Sequence, residues 1–428
     1  MKPANSAKRA KRAKADARSS KPAKKVKGAG KANKAGKGGK SKAAGRPKSQ
    51  PVSMQNSRGK VSPHLEGTIA YAKPTVGRQE QQAAAQLVRS GNMGTGPEVS
   101  MFEAEFCRLF GLPDGHAVAV VNGTVALYLA LRALGACGND VALPAYGYKY
   151  LRAATAMAGG REKVCDIGED SVHLDIDAAI ASGARIAIVS HLFGLPCDLK
   201  DYAEEIDIVE DCRDALGARV EEDLVGLQGK LGTFSFGVDE IITAGGYGGM
   251  VISRQTDLLE QIRSDVATFD LHMSDLQAAI GRVQLAKLPN LLARREEIFN
   301  EYVASGFTLL DVDEQVFDEE TAAENRTPNG SGDGDTNQTA EFTAVRYRAV
   351  LRSNDAEAVV EKLAQGMIEA RIPICEADLL GSAEKNPNAS DMSISTVAVP
   401  IYPHLSNAEV IEIAEQLAAV MAELVENN

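Results

Sequence analysis

Short apolar runs recur along the middle of this chain, and the gaps between them carry helical spacing. Ala117 to Val121, Val141 to Pro144, Lys163 to Asp166, Ile186 to His191, Ile208 to Asp211 and Gly248 to Ser253 each read as a strand. Asn122-Gly123-Thr124 follows the first of them and opens a helix to about Ala133. Such strand-helix alternation predicts an α/β protein with a mostly parallel sheet covered on both faces. Two helical stretches, about 79–90 and 98–110, come before it, and a long one from Ser274 to about Ala304 leads away. A strand at Phe342 to Leu351 and a helix from Asp355 to about Arg371 are expected beyond. The last helix is marked by a capping box, Ser406 with Glu409. Its apolar stripe is Val410, Ile413, Ala414, Leu417, Val420, Met421 and Leu424. The expected division is a basic tail over 1–62, a large domain over 63–300 and a smaller C-terminal α+β domain over 301–428.

Charge separates the tail from the rest. Residues 1–60 hold 20 Lys plus Arg and one acid, Asp16, which leaves 27 basic and 57 acidic residues for the remainder of the 428. Residues 1–62 are Lys, Ala, Gly, Ser and Pro with almost no aliphatic side chains, so disorder is expected. Such an arm suits a polyanion through counterion release. A solvated extension that contacts the acidic body, or a start at Met54, accounts for the same composition. Residues 318–341, acidic and rich in Gly, Asn and Thr, read as a disordered loop. The Asn-x-Ser/Thr triplets at Asn325, Asn329 and Asn337 are read as loop composition. The six cysteines are scattered without a Cys-x-x-Cys pair, which argues against a metal or disulfide framework. No apolar run approaches the roughly 20 residues of a membrane span, and no signal-peptide pattern opens the chain. A cytoplasmic protein without membrane contact is expected.

Several segments carry chemistry. Gly123-Thr124 stands between a strand and a helix N-terminus, where free N–H groups and the helix dipole suit a phosphate, although a plain strand-to-helix turn looks the same. Asp211 ends an apolar strand, where a buried acid needs a reason. GTGPEVSMFEAEF (Gly94 to Phe106), AVAVVNGTVALYLALRAL (Ala117 to Leu134) and PAYGYKY (Pro144 to Tyr150) are followed by SHLFGLPCDL (Ser190 to Leu199) and VEDCRDALGA (Val209 to Ala218). FSFGVDEIITAGGYGGM (Phe234 to Met250), HMSDLQAAIGRVQLAKL (His272 to Leu288) and VPIYPHLSNAEV (Val399 to Val410) complete the series. In this order and register the segments resemble the DegT/StrS-type sugar aminotransferases, over about Gly91 to Leu424. The resemblance implies the type I fold of enzymes dependent on pyridoxal 5'-phosphate (PLP): a mixed, mostly parallel seven-stranded sheet with a smaller C-terminal α+β domain, usually dimeric with shared active sites. It implies a nucleotide-sugar-like substrate and a role in nucleotide-sugar or polysaccharide biosynthesis. It also implies PLP phosphate at Gly123, Thr124 and Ser235, an aromatic stack at Tyr148, Asp211 on the pyridine nitrogen, and a site place for His191.

The chain departs from that pattern at the reactive centre. Glu240 stands where the resemblance puts the Schiff-base lysine, and a carboxylate cannot condense with an aldehyde. Asp214 replaces a Gln or His, Asp239 a common Ser, and Asp270-Leu271-His272-Met273 an Asn-x-Arg-Met whose Asn reaches the partner's phosphate. Each change sets a carboxylate near a phosphate, and a unit pair about 6 Å apart at an effective dielectric near 20 costs about 3 kcal/mol. Two readings follow. In the first, the chain is silent as a transaminase and binds a nucleotide sugar, an amine-bearing ligand or an active paralogue, as a homodimer or heterodimer. In the second it is a working enzyme on a nucleotide-linked keto sugar, a lysine-less dehydratase or atypical aminotransferase, with Glu240 as base or Lys149 or Lys230 as a substitute amine. An ion pair from Glu240 or Asp214 to Arg213 or Lys230, or a pocket filled by side chains, favours the first. Room for a ring beside Tyr148 with Asp211 bonding into an open pocket favours the second.

Overall fold

The computed structural model describes residues 67–311 and 342–426. The basic tail and the 318–341 loop with its three Asn-x-Ser/Thr triplets lie outside the described residues. In chain order the elements are α1 (Arg78–Ser90), α2 (Pro97–Leu109), β1 (Ala117–Val120), α3 (Gly123–Ala133), β2 (Asp140–Pro144), α4 (Lys149–Met157), β3 (Arg161–Cys165), α5 (Ile176–Ala181), β4 (Ile186–Ser190) and β5 (Asp207–Asp211). Two short strands, β6 (Arg219–Val220) and β7 (Asp223–Leu224), come before β8 (Leu231–Ser235), β9 (Gly249–Ile252), α6 (Thr256–Phe269) and α7 (Asp275–Ala304). After the undescribed segment come β10 (Phe342–Thr343), β11 (Ala349–Arg352), α8 (Ala356–Gln365), α9 (Pro387–Ser395), β12 (Thr396–Val399) and α10 (Asn407–Glu426).

Seven strands form one sheet in the order β1-β9-β8-β5-β4-β2-β3. Pairing is parallel from β8 through β5, β4 and β2 to β3, and antiparallel on both sides of β9. The chain is therefore α/β with a mixed, mostly parallel sheet. Side chains of β1 alternate between its faces as the period of two requires. Ala117 and Ala119 join Phe102, Phe106, Phe234 and Met250 on one face, while Val118 and Val120 join Leu127, Leu131 and Val251 on the other. A separate core lies between β11, β12, α8, α10 and the end of α7, with Phe299, Tyr302, Leu363, Val397 and Leu417 among its buried members. Ser406 and Glu409 cap α10 reciprocally, at 2.7 Å and 3.2 Å. Val410, Ile413, Ala414, Leu417 and Val420 are buried as the stripe requires, with Met421 and Leu424 packed against them.

Two expectations need correction. The strand foreseen over Phe342 to Leu351 is two short strands in different sheets, β10 with β6 and β11 with β12. Between them the Val345 N–H donates to the Gly194 carbonyl at 3.0 Å and the Tyr347 N–H to the Val345 carbonyl at 2.8 Å. That turn interrupts the ladder and brings Tyr347 and Arg348 close to Asp214. The helix foreseen from Asp355 to Arg371 stops at Gln365. Its end is closed by Ile368 N–H to Leu363 O and Met367 N–H to Ala364 O, with Met367 left-handed at φ 63°. This closure most often uses glycine, so a methionine there gives no stop signal in the sequence. The β6-β7 hairpin was not foreseen.

Gly194 is where two parts of the backbone come into close contact. Its φ is +92°, and a Cβ placed there would lie 1.9 Å from the Val345 carbonyl oxygen. Gly194→Ala therefore combines left-handed strain with a backbone clash and should destabilise the protein by about 3 kcal/mol or more. Urea unfolding checks this, and a change within about 0.5 kcal/mol, as for an ordinary surface site, would contradict the packing described.

Candidate functional site

In an open α/β sheet, ligands sit beyond the carboxyl ends of the parallel strands. Here Asp211 ends β5 and Ser190 ends β4, and the two residues are register partners. The loop leaving β2 carries Tyr148 and enters α4, whose second residue is Tyr150. On the other side, α3 begins directly after β1, and Ser235 ends β8 a few residues before Glu240. Sheet topology alone thus gathers these groups at one end of the strands.

The α3 N-terminus is built for close approach. Asn122 caps it by accepting from the Val125 N–H at 2.9 Å. A Cβ on Gly123 would fall 2.5 Å from the Ser235 Cβ, so only glycine lets β8 pass so near the helix start. The Ser235 hydroxyl then donates to Glu240 Oε1 at 3.2 Å. A carboxylate therefore reaches toward the helix end that the sequence marked for phosphate.

Glu240 is buried, 7% exposed, and its Oε1 lies 2.8 Å from Arg213 Nη1. The Arg213 guanidinium lies over the Tyr150 ring, 3.8 Å from its centre. The Tyr150 hydroxyl donates to Asp211 Oδ2 at 2.5 Å, and the Ser190 hydroxyl donates to the same oxygen at 2.9 Å. The Tyr148 ring lies nearly parallel to that of Tyr150, with centres 5.9 Å apart. One run of contacts therefore leads from the end of β5 to the start of α3: Asp211, Tyr150, Arg213, Glu240, Ser235, Gly123. Burial pulls the Arg213 pKa down, but Tyr150, Glu240 and Asp211 outweigh it and the net shift is upward, which keeps the guanidinium charged.

Asp214 lies alongside. It accepts from the Phe193 N–H at 3.2 Å and the Tyr148 hydroxyl at 3.4 Å, both at Oδ2, while buried Oδ1 has no hydrogen-bond partner among the described residues. Burial, and then the charge of Glu240, push its carboxyl up to about 8. Arg348 opposes that shift. Its guanidinium lies 4.1 Å from the centre of the Tyr347 ring and 4.7 Å from that of Tyr71, and donates to the Tyr347 hydroxyl at 2.9 Å. The sequence led to the expectation of a pocket dominated by carboxylates; Arg213 and Arg348 correct that picture. Arg213 was foreseen as an ion-pair partner of Glu240 or Asp214, and it pairs with Glu240; Arg348 was hidden inside an apparent strand. Tyr150 stood within a quoted segment, but nothing in the spacing marked it as Asp211's partner.

His191 is fully buried and both its nitrogens are engaged. Nδ1 accepts from the Cys197 N–H at 3.0 Å, so Nε2 carries the proton and donates to Glu210 at 3.0 Å. Glu210 also accepts from the N–H groups of Gly226 and Gly229 at 2.6 and 2.7 Å. His191, Glu210 and Cys212 are close enough to hold an ion, but the histidine lone pair and the carboxylate are already used. This network holds β5 against the loop before β8 and so fixes where Asp211 ends. Lys149 pairs with Asp378 and Lys230 with Asp207, both at partly exposed positions, and neither amine reaches the Asp211-to-Glu240 run. The carbonyl of Leu271 accepts from the Val121 N–H at 3.0 Å, placing the Asp270 to Met273 segment beside the β1 exit. Among the described residues, no helix is long and apolar enough to cross a membrane.

Sheet order and site geometry together define a type I PLP-dependent transferase fold. The chain belongs to the DegT/DnrJ/EryC1/StrS aminotransferase family, whose model matches residues 74–418. It is 27% identical over 390 residues to the dTDP-4-dehydro-2,3,6-trideoxy-D-glucose 4-aminotransferase of Saccharopolyspora spinosa, covering 81% of this chain and 95% of that one. Among solved structures, the aminotransferase TlmJ from Streptoalloteichus hindustanus superposes with a TM-score of 0.71 at 25% identity, over 84% of this chain and 100% of that one. The putative sugar aminotransferase Spr1654 from Streptococcus pneumoniae, in its PMP form, gives 0.71 at 20% identity over 84% and 99%.

The proton on Asp214 has a consequence for stability. A carboxyl at 3.8 when unfolded and about 8 when folded binds a proton in the native state that the unfolded chain has released. Stability from this group therefore falls as pH rises from about 4 to about 8, by up to about 1.4 kcal/mol per unit. Urea unfolding at several pH values should show a shallower decline for Asp214→Asn than for the natural chain. Identical slopes would mean that Asp214 is ionised and paired.

Proposed function

We propose that this chain is a member of the sugar aminotransferase family that no longer transaminates and acts by binding a nucleotide-linked sugar. The observation that carries this reading is the 2.8 Å ion pair between Arg213 and buried Glu240, at the position the resemblance gives to the Schiff-base lysine. A cofactor aldehyde needs an amine there, and the two lysines weighed as substitutes are held elsewhere. Its pyridine nitrogen needs a free acid, and Asp211 Oδ2 already accepts from two hydroxyls. Its phosphate needs an uncompensated helix end, and Glu240 reaches toward it through Ser235. On all three counts the residues present do not fit PLP, so no catalytic step is derived through it. Glu240 acting as a proton-transfer base fits no better, because its Oε1 is already engaged by Arg213 and Ser235.

The sugar half of the proposal rests on family membership and on the wall beside Asp214. Arg348 and Arg371 both lie over the Tyr71 ring, each 4.7 Å from its centre. Guanidinium groups on aromatic faces suit a phosphorylated ligand with a planar base. Assembly as a homodimer, or with an active paralogue that supplies the missing amine chemistry, belongs to the same proposal, as does a cytoplasmic setting.

Two assays on the full chain test it. Amino transfer from glutamate to a thymidine diphosphate-linked keto sugar, with PLP present, should give no product, and calorimetry with the same sugar nucleotide should give a Kd of about micromolar order. Turnover by the natural chain would overturn the silent reading. Absence of binding would overturn the sugar.

A further inference from the structure

The cofactor place need not be vacant for the cofactor to be absent. We infer that the chain fills this place with its own side chains: Tyr150 takes the part of the ring, Arg213 lies on its face, and Glu240 takes the part of the anionic end. The inference rests on the silent reading above but goes further, since loss of a lysine alone would leave a cofactor-shaped opening.

Three pieces of geometry support it. First, the Tyr150 hydroxyl reaches Asp211 Oδ2 at 2.5 Å with Ser190 on the same oxygen. A phenol O–H offers a carboxylate what a protonated ring nitrogen offers it, one donor in the plane of an aromatic ring. Second, the Tyr150 ring is flanked, by Tyr148 nearly parallel at 23° and by the Arg213 guanidinium 3.8 Å from its centre. A ring with one near-parallel aromatic neighbour and a cation close to its centre is placed as a bound planar ligand would be. Third, the negative charge at the far end of the run is supplied by Glu240, bonded to Ser235, which itself packs on Gly123 at the α3 start. Helix N-termini favour an anion whatever its source.

The arrangement is also tied together in a way that a chance collapse is not. Arg213 is bound on both sides, by a ring face and by a carboxylate, and it follows Asp211 by two residues on the same loop. Removing any one of Tyr150, Arg213 and Glu240 takes a contact from at least one of the others. Such coupling makes the filling a property of the three residues as a set and predicts that re-opening the site requires more than restoring the amine.

Two measurements on the full chain test this. The first compares Glu240→Lys with Glu240→Lys combined with Tyr150→Ala, incubated with PLP, fixed with borohydride and mapped by peptide mass. The double variant should be labelled at the introduced lysine at least about tenfold more than the single variant, a difference of about 1.4 kcal/mol. Equal labelling would overturn the inference, because the lysine would then be the only missing piece. The second measurement stands if the lysine variants fail to fold. Pyridoxamine phosphate, which needs no lysine, is dialysed against the natural chain and against Tyr150→Ala alone. The variant should bind at least about tenfold more tightly, and equal weak binding would overturn the filling while leaving the silent reading intact. Tight binding by the natural chain would overturn both.

Discussion

The Arg213 guanidinium, held between the Tyr150 ring and the Glu240 carboxylate, is the interaction around which the site is organised. A buried positive charge must be matched on every side, and here one side is a π face and the other an ion pair. Without Arg213, buried Glu240 would lose its ion-pair partner. With it, Glu240, Asp211 and Asp214 share one local cation, with Arg348 as a second beside Asp214. Arg213 and Glu240 are therefore two halves of one electrostatic arrangement.

The scaffold beneath is conservative in its physics. β5 lies in the middle of the sheet, and the buried Glu210, saturated by His191 and two backbone N–H groups, fixes the loop that brings β8 alongside it. Gly123 allows β8 to pass against the start of α3. These features set where the ends of β1, β4, β5 and β8 meet, and they do so whether or not a cofactor is bound. A family fold with solved relatives at TM-scores of 0.71 leaves room for different side chains at the strand ends.

How much of this was legible in the sequence follows from the range of each interaction. The alternation of β1, β2, β4 and β5 with helices is local, as is the Ser406–Glu409 cap, and both could be read directly. Asp211 and the Gly123 turn could be picked out because a buried acid and a strand-to-helix glycine are unusual in place, whereas Glu240 was singled out only through the family resemblance. Tyr150 on Asp211 spans 61 positions, and such a partner is chosen by packing, which no periodicity encodes; the Arg213–Glu240 pair, 27 positions apart, was named beforehand only as one of several possible pairings. Glu210, to which the sequence drew no attention, is the anchor for His191. The break at Val345 escaped notice because it depends on Gly194, a residue some 150 positions earlier, and the end of α8 because a methionine holds the left-handed closure.

The central claim is that the cofactor place is filled from within. A crystal structure of the natural chain grown in excess PLP tests it most directly. The account predicts Tyr150 on Asp211, Arg213 across its ring and paired with Glu240, and no cofactor density beyond the carboxyl ends of β4 and β5. Density for a bound pyridine ring on Asp211, with Tyr150 swung aside, would contradict it.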